Sequence, residues 1–209
     1  MLNKVIFVIE FCGTIYYAIS GSMVAIEKKM DVFGVAILAV TTSVGGGILR
    51  DIILGKVPPT AFVDPIFVIE AVIVALILFP KKVRRRIKDK RSIFYSPLLW
   101  MDTIGLGIFT VVGVSTAIEL GYDNPFLLIG VGVITAVGGG VMRDCMANNL
   151  PFIFVKEVYA TAALSGAIVC TLLWDITGSL VAMIAGAGTV ILLRNLSHRY
   201  RWKLPNAKI

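Results

Sequence analysis

Seven long apolar stretches run through almost the whole chain and limit what it can fold into. They are Val5–Ile26, Val32–Leu54, Ala61–Phe79, Leu98–Ile118, Phe126–Met146, Phe152–Trp174 and Ser179–Leu193. A helical membrane crossing takes about 20 apolar residues, so a chain of 209 residues can hold seven crossings and no separate soluble domain. The stretches are far longer than the ~10-residue segments of a membrane β-barrel. We therefore predict an all-α membrane protein with seven transmembrane helices.

The composition excludes a water-soluble enzyme. Hydrophobic residues make up 57% of the chain and charged residues 16%, and the mean hydropathy is +0.89, whereas about a quarter of the residues in a soluble domain are charged. No nucleotide-binding loop, nucleophilic triad or metal-ligand cluster is present, so we expect no enzyme activity, catalytic residue, cofactor or metal site. The cysteines, Cys12, Cys145 and Cys170, lie in apolar segments without metal spacing and are expected to be small buried packing residues.

The basic residues predict an orientation rather than a nucleic-acid partner. Eight of the twenty Lys and Arg residues fall between Lys81 and Arg91, and other basic residues lie at Lys28–Lys29 and in the tail after Arg194. Short loops rich in Lys and Arg stay in the cytoplasm. With seven spans, these clusters share one side, so we predict the N-terminus outside and the C-terminus inside. Anionic lipid is a further candidate partner of the 81–91 loop.

The chain also contains an internal repeat. The segment Thr42–Asp51, TSVGGGILRD, returns 93 positions later as Thr135–Asp144, TAVGGGVMRD, and at an offset of 92 Glu10 aligns with Asp102. Each copy holds three spans, an odd number, so the second copy enters the membrane from the opposite side. Inverted repeats of this kind form solute pathways near the midplane between interrupted helices.

These features divide the chain into five segments: a first three-helix repeat (1–80), a basic cytoplasmic loop (81–96), a second, inverted three-helix repeat (97–175), a seventh helix (176–196) and a basic cytoplasmic tail (197–209).

The two glycine triplets are the candidate lining of the solute pathway. Three consecutive glycines weaken a helix by about 1 kcal/mol each relative to alanine, so their repetition requires a reason. Close helix packing is one reason, and a kink or local unwinding that exposes carbonyls to a water-filled path is the other. Because the triplets recur in both copies, we favour path lining. The candidate lining residues are Gly45, Gly46, Gly47, Gly138, Gly139 and Gly140, with the hydroxyls of Thr42 and Thr135.

Charged residues follow each triplet at membrane depth, where they need partners or a cavity. Arg50 precedes Asp51, and Arg143 precedes Asp144. Consecutive residues do not share a helix face, so these aspartates are not expected to be the sole partners of the arginines. The expected depth of these residues in the membrane instead predicts two equivalent pairs, Glu10–Arg50 and Asp102–Arg143. These pairs would either brace the helices or gate the path.

Three further charged residues, Glu70, Lys156 and Glu157, are candidates of lesser weight. Glu70 has no counterpart in the second repeat; it is either a proton or cation site or, as we favour, a hydrogen-bonded contact between helices. Lys156 and Glu157 begin the sixth span near the cytoplasmic surface, where such side chains extend toward water.

Two copies of GGGxxRD in three-helix halves, followed by a seventh helix, resemble the prokaryotic trimeric intracellular cation (TRIC) channels over residues 4–195. The resemblance implies a homotrimer in the prokaryotic plasma membrane, with one pore per subunit. It implies that glycine-kinked second and fifth helices line each pore and that potassium and sodium pass. It also marks Arg50, Asp51, Arg143, Asp144 and the Lys156-Glu157-Val158 segment as family positions.

The residues therefore leave three functions in competition. A passive monovalent cation channel is the leading hypothesis, in which glycine carbonyls replace part of an ion's hydration shell. A secondary transporter of a small solute such as glycine is the alternative, because inverted repeats with broken helices are equally typical of alternating access. A structural membrane protein is disfavoured, since two intramembrane Arg-Asp pairs are costly for that role.

Overall fold

The computed structural model describes residues 2–81, 91–155 and 158–202. These ranges form nine helices and contain no strand. The helices are α1 (Leu2–Glu27), α2 (Val32–Ile53), α3 (Thr60–Val63), α4 (Ile66–Leu78), α5 (Arg91–Glu119), α6 (Pro125–Met146), α7 (Phe152–Val155), α8 (Ala160–Thr177) and α9 (Ser179–Tyr200). Five of them, α2, α5, α6, α8 and α9, hold segments long and apolar enough to cross a membrane. The all-α membrane fold is thereby confirmed, whereas the count of seven spans stays a prediction.

Two predicted stretches are each divided into a one-turn helix and a longer one. The stretch 61–79 forms α3 and then α4, which follows the turn at Asp64-Pro65. The stretch 152–174 forms α7 and then α8, and Lys156 and Glu157 between them lie outside the described residues. At 13 residues, α4 is about 20 Å long, shorter than the ~30 Å hydrocarbon core.

Two of the predicted segment boundaries also differ from the observed helix ends. The predicted loop 81–96 is helical from Arg91, where α5 begins, and α9 continues past residue 196 to Tyr200. Residues 82–90 and 203–209 lie outside the described part. Of the three cysteines, Cys170 is buried, but Cys12 and Cys145 are exposed, so the expectation of buried packing residues is wrong for those two.

Equivalent caps begin the second helix of each repeat. The Asp31 carboxylate accepts a hydrogen bond from the Gly34 N–H at 2.7 Å, and the Asn124 side chain accepts from the Phe126 N–H at 2.9 Å. Short polar side chains at this position bind the free N–H groups of a first helical turn. The two caps therefore start α2 and α6 at equivalent positions of the repeat, 93 residues apart.

Within each half, a glycine of the first helix packs against a threonine of the second. A Cβ atom on Gly21 of α1 would lie 2.5 Å from the Thr42 hydroxyl of α2, and one on Gly113 of α5 would lie 2.6 Å from the Thr135 hydroxyl of α6. Small residues allow such close approach of membrane helices. The α1–α2 and α5–α6 pairs thus have the same construction, and they bring α2 and α6 together at the centre.

The last helix, α9, packs on the second half, mainly against α8 and α5. The contact depends on small residues: a Cβ on Gly166 of α8 would lie 2.7 Å from the Gly186 carbonyl oxygen, and one on Gly107 of α5 would lie 3.0 Å from the Ala187 carbonyl oxygen. In the first half the corresponding positions are Ile15 and, for Gly166, the β-branched segment Val72–Val74. That face is consequently too bulky for an equivalent close helix contact.

Candidate functional site

The glycine triplets lie where α2 crosses α6. A Cβ atom on Gly46 would overlap the carbonyl oxygen of Thr135, and a Cβ on Gly139 would overlap the carbonyl oxygen of Thr42. Both helices continue through their triplets without a break. The expected local unwinding is therefore wrong, and the close approach of the partner backbone accounts for the central glycines by packing. Whether the helices bend at these points stays a prediction.

The three glycines of each triplet have different surroundings. At the first position, a Cβ on Gly45 would lie 2.9 Å from the Met142 sulfur, and one on Gly138 would lie 3.1 Å from a Leu49 methyl carbon. The third position is open. Within 4 Å of a Cβ on Gly47 only the Arg50 Nη2 is found, at 3.8 Å, and the same holds for Gly140, where the Arg143 Nη2 lies at 3.9 Å.

Thr42 and Thr135 belong to the helix packing. Their exposed fractions are 2% and 5%. Each hydroxyl donates to a carbonyl one turn earlier in its own helix, Thr42 to Leu38 at 2.6 Å and Thr135 to Val131 at 2.7 Å. Since the hydroxyls also face Gly21 and Gly113, both take part in helix packing, and their role in lining a path stays a prediction.

On the first half, Arg50 is held by its sequence neighbour. The Arg50 Nε donates to Asp51 Oδ1 at 2.8 Å, and Nη2 lies 2.8 Å from the same oxygen. The other carboxylate oxygen of Asp51 accepts two hydrogen bonds from Thr60, one from the backbone N–H and one from the hydroxyl, both 2.7 Å. Asp51 therefore connects the guanidinium of α2 to the first turn of α3.

The second half repeats this arrangement and adds a contact. Arg143 Nε and Nη2 lie 2.8 Å and 2.7 Å from Asp144 Oδ1, and Asp144 Oδ2 accepts from the Phe152 N–H at 3.1 Å. In addition, Arg143 Nη1 donates to the Ser20 hydroxyl of α1 at 2.8 Å, and the guanidinium stands 5.2 Å above the centre of the Phe152 ring. The arginine thus joins the two halves of the chain.

Among the described residues, the expectation that the neighbouring aspartate would not be the sole partner is wrong for Arg50, but it holds for Arg143, which also donates to Ser20. Consecutive Cβ atoms in a helix point about 100° apart, but the arginine side chain is long enough to fold around the helix and reach the adjacent carboxylate with two nitrogens. Such an Arg–carboxylate pair, with a fixed planar donor group, is the favourable geometry for a buried charge. Asp51 and Asp144 are the ionic partners of Arg50 and Arg143 in the described structure.

Asp102 does not pair with Arg143, although both lie in the electrostatic neighbourhood of Tyr16. Its Oδ2 lies 2.8 Å from Arg194 Nη2, and its Oδ1 accepts from the Tyr159 hydroxyl at 3.1 Å. The Arg194 guanidinium also stands 4.7 Å above the Tyr159 ring centre. The predicted Asp102–Arg143 pair is thus wrong, because α9 supplies a nearer cation and Asp144 occupies Arg143.

Glu10, the predicted partner of Arg50, does not form an ion pair with it. Its side chain is half-buried in α1 and makes no hydrogen bond or ion pair with the described residues, but the charge of Arg50 acts on it. The predicted Glu10–Arg50 relationship is therefore electrostatic proximity, and the direct contact belongs to Asp51.

Glu70 is buried on α4, with 8% of its surface exposed, and neither carboxyl oxygen has a hydrogen-bond partner among the described residues. The favoured hydrogen-bonded contact is therefore wrong, and a proton or cation site stays a prediction. Lys156 and Glu157 cannot be placed, since both lie outside the described residues. In the described ranges, no group of three or more His, Cys, Asp or Glu residues could hold a metal ion.

Sequence reasoning missed Thr60, Ser20, Tyr159 and Arg194. The hydroxyl of Thr60 could have been found, since a Thr after Pro58-Pro59 starts a helix close to the end of α2. No comparable pattern marks Ser20 or Tyr159. Arg194 was counted with the basic tail because nothing in the repeat predicts which face of the last helix packs on the second half.

The fold and the site together define a helical membrane protein built from two similar halves, whose central helices cross at glycines beside buried arginines. The family model described as "Glycine transporter" matches residues 7–81 and 99–175. The inner membrane protein YadS of Escherichia coli K12, of the UPF0126 group, is 35% identical over 94% of this chain and 93% of its own length.

Solved structures of membrane proteins are also similar to this chain. A TRIC cation channel studied for its conductance is 38% identical, with a TM-score of 0.87 and 97% of each chain covered. A TRIC trimeric intracellular cation channel orthologue from Rhodobacter sphaeroides is 31% identical, with a TM-score of 0.80, over 95% of this chain and 100% of its own. The chain belongs to this family, that of the prokaryotic TRIC channels, which is a family of membrane proteins and not of enzymes.

Proposed function

We propose that the chain is a passive channel for monovalent cations, potassium and sodium. The path runs beside the α2–α6 crossing, and a homotrimer carries one path per subunit. The conductance of the 38% identical TRIC channel supports this proposal, and the trimeric Rhodobacter sphaeroides orthologue supports the assembly. The Escherichia coli relative, an inner membrane protein, supports a location in the prokaryotic plasma membrane.

The observation that carries the proposal is the open side of the crossing. Gly47 and Gly140 face space in which the nearest group outside their own backbone surroundings is an arginine Nη2, at 3.8 Å and 3.9 Å. A helix face made of glycine presents backbone carbonyls in place of side chains, and carbonyl oxygens can substitute for the water around a cation. The third glycine of each triplet is therefore the proposed lining position, whereas the second one packs the helices.

The arginines fit a cation path because each carries its own counter-ion. A bare guanidinium at membrane depth would repel cations. Asp51 and Asp144, each within 2.8 Å of an arginine nitrogen, cancel most of that repulsion. We propose that Arg50 and Arg143 hold the two carboxylates at the path and that breaking either pair changes gating.

The remaining parts of the proposal concern the membrane. The N-terminus lies outside and the C-terminus in the cytoplasm, so that the basic segment 81–91 faces the cytoplasmic leaflet. Anionic lipid headgroups are attracted to such a segment. This part is supported by the distribution of Lys and Arg along the chain.

A transporter of glycine or a similar small solute is the second candidate, favoured by the description of the matching family model. The two functions differ in kinetics. A channel produces discrete current steps that scale with the driving force, and a transporter produces saturable uptake with counterflow.

The test is current across a planar bilayer containing the purified protein, with a tenfold potassium chloride gradient. We expect unitary steps that reverse close to the potassium equilibrium potential. The variant to compare with wild type is Gly47→Leu/Gly140→Leu. It places a bulky side chain in each open position and should strongly reduce the unitary current. Silent bilayers together with saturable glycine uptake into liposomes would replace the channel by the transporter.

A further inference from the structure

Glu10 and Asp102 occupy equivalent positions in the two repeats, 92 residues apart, but have different surroundings. Asp102 is compensated by Arg194 of α9 at 2.8 Å and receives the Tyr159 hydroxyl at 3.1 Å. A carboxylate that is paired with a guanidinium and hydrogen-bonded on both oxygens exerts only a weak electrostatic field on groups beyond its own partners.

Neither partner has a counterpart beside Glu10. The stretch of the first half that corresponds to Tyr159 is Pro65–Phe67, which contains no hydroxyl, and Phe67 packs on the Phe7 ring with 5.7 Å between ring centres. Among the described helices, none packs on α1 and α4 as α9 packs on α5 and α8, and the positions matching Gly107 and Gly166 are bulky (Ile15 and Val72–Val74). Glu10 thus keeps its carboxylate without a hydrogen-bonded partner among the described residues.

The charges of the two clusters consequently differ. Beside Arg50 there are two carboxylates, Glu10 and Asp51, for one guanidinium. The second cluster has two carboxylates, Asp102 and Asp144, and two guanidinium groups, Arg143 and Arg194. With all four carboxyl groups ionised, the first cluster carries a net negative charge and the second is neutral, although the two halves repeat in sequence.

We propose that Glu10 is a selectivity-determining residue: its uncompensated carboxylate attracts monovalent cations into the Arg50 end of the path, while Arg194 suppresses the same effect at the other end. This inference rests on the proposed channel function. It makes the path electrically asymmetric, so cations are concentrated at one end only. The effect acts through space over several ångströms and is weakened by salt, because the Debye length falls from about 10 Å at 0.1 M to about 3 Å at 1 M.

The first test compares wild type with Glu10→Gln in a planar bilayer at pH 8, with a potassium chloride gradient. Glutamine has nearly the same shape and no charge. We expect the potassium-to-chloride permeability ratio to fall at least about twofold, because a unit charge within a Debye length alters ion occupancy by that order even at the permittivity of water. Glu10→Asp restores the charge and should restore the ratio. Asp175→Asn, which removes an exposed carboxylate near the end of α8, should leave it unchanged.

A second measurement needs no variant. Single wild-type channels in symmetric 0.1 M potassium chloride should pass unequal currents at equal positive and negative voltages, and the inequality should disappear in 1 M salt. Equal currents at 0.1 M, or an unaltered permeability ratio in folded Glu10→Gln, would overturn the role of Glu10 and leave the channel function standing. Wild-type protein that gives no unitary current at all would overturn the channel function itself.

Discussion

Gly46 and Gly139 contact each other's helices reciprocally: Gly46 lies against the Thr135 carbonyl oxygen of α6, and Gly139 lies against the Thr42 carbonyl oxygen of α2. The four residues come from equivalent positions of the two repeats, 93 residues apart. A single crossing of two helices thus accounts for the repetition of both the Thr and the central Gly.

The first prediction concerns this crossing. Gly46→Ala should destabilise the protein by about 1–3 kcal/mol, the usual range for overpacking, because the added methyl group overlaps a backbone carbonyl that cannot move aside. Gly47→Ala is the matched control: its methyl group meets open space, and alanine improves helix propensity by about 1 kcal/mol. Thermal unfolding in detergent measures both. Equal midpoints for the two variants would contradict the packing role of Gly46.

The second prediction concerns the buried pair in the second half. The Arg143 and Asp144 side chains are 6% and 3% exposed, so Asp144→Asn should destabilise by about 3–5 kcal/mol by leaving a buried cation without its counter-ion. Removing both charges in Arg143→Gln/Asp144→Asn should recover part of the loss. A double-mutant cycle in detergent measures the coupling between the two residues, and additive effects would show that they do not act as a pair.

The third prediction concerns the connection between α2 and α3. Thr60→Val removes the hydroxyl that donates to Asp51 at 2.7 Å but keeps the backbone N–H bond to the same oxygen. We expect a loss of about 1.5–3 kcal/mol, as for a hydrogen bond to a charged group. Thr161→Val, at an exposed position of α8, is the control and should have little effect. Chemical or thermal unfolding distinguishes them.

The fourth prediction separates packing from path lining. Thr42→Val keeps the shape of the side chain and removes a hydroxyl that is 2% exposed and bonded within its own helix. Unitary conductance should therefore remain at the wild-type level. Gly140→Ala should lower it, since the methyl group enters the open space near Arg143. If Thr42→Val reduced the conductance and Gly140→Ala did not, the assignment of the lining positions would be reversed.

The fifth prediction concerns the contact made by the last helix. Tyr159→Phe removes the hydrogen bond to Asp102 and keeps the ring beneath Arg194, whereas Arg194→Gln removes the ion pair and the ring contact together. We expect about 1.5–3 kcal/mol for the first change and about 3–5 kcal/mol for the second. Unfolding midpoints in detergent show which of the two changes destabilises the protein more. A larger effect of Tyr159→Phe would contradict the ion pair as the main contact.

Sequence alone predicted the helical membrane fold, because long apolar runs have few alternatives in a bilayer. It also predicted that Gly46, Gly139 and the two Arg-Asp pairs belong to one site, because they recur at a fixed offset. The same reasoning failed on the partners. Arguments from Cβ directions gave too little weight to Asp144 as the partner of Arg143, since they neglect how far an arginine side chain can bend.

Arg194 illustrates what a repeat cannot predict. Symmetry assigned Asp102 to Arg143 by comparing the two halves, but α9 has no counterpart in the first half and so cannot enter such a comparison. Its partner depends on which face of α9 packs against α8 and α5, and that is decided by Gly107, Gly166 and Gly186 acting together. Contacts of this kind depend on three helices at once and leave no periodic signal in any one of them.

The crossing of α2 and α6 also limits how the protein can move. No methyl group fits between the two backbones, and Met142 and Leu49 lie close to Gly45 and Gly138 of the opposite helix, so rotation of either helix about its own axis would disrupt these contacts. The contact therefore acts as a pivot. Any change in the crossing angle about this point would displace the ends of the helices most, and at those ends Asp51 and Asp144 attach α3 and α7.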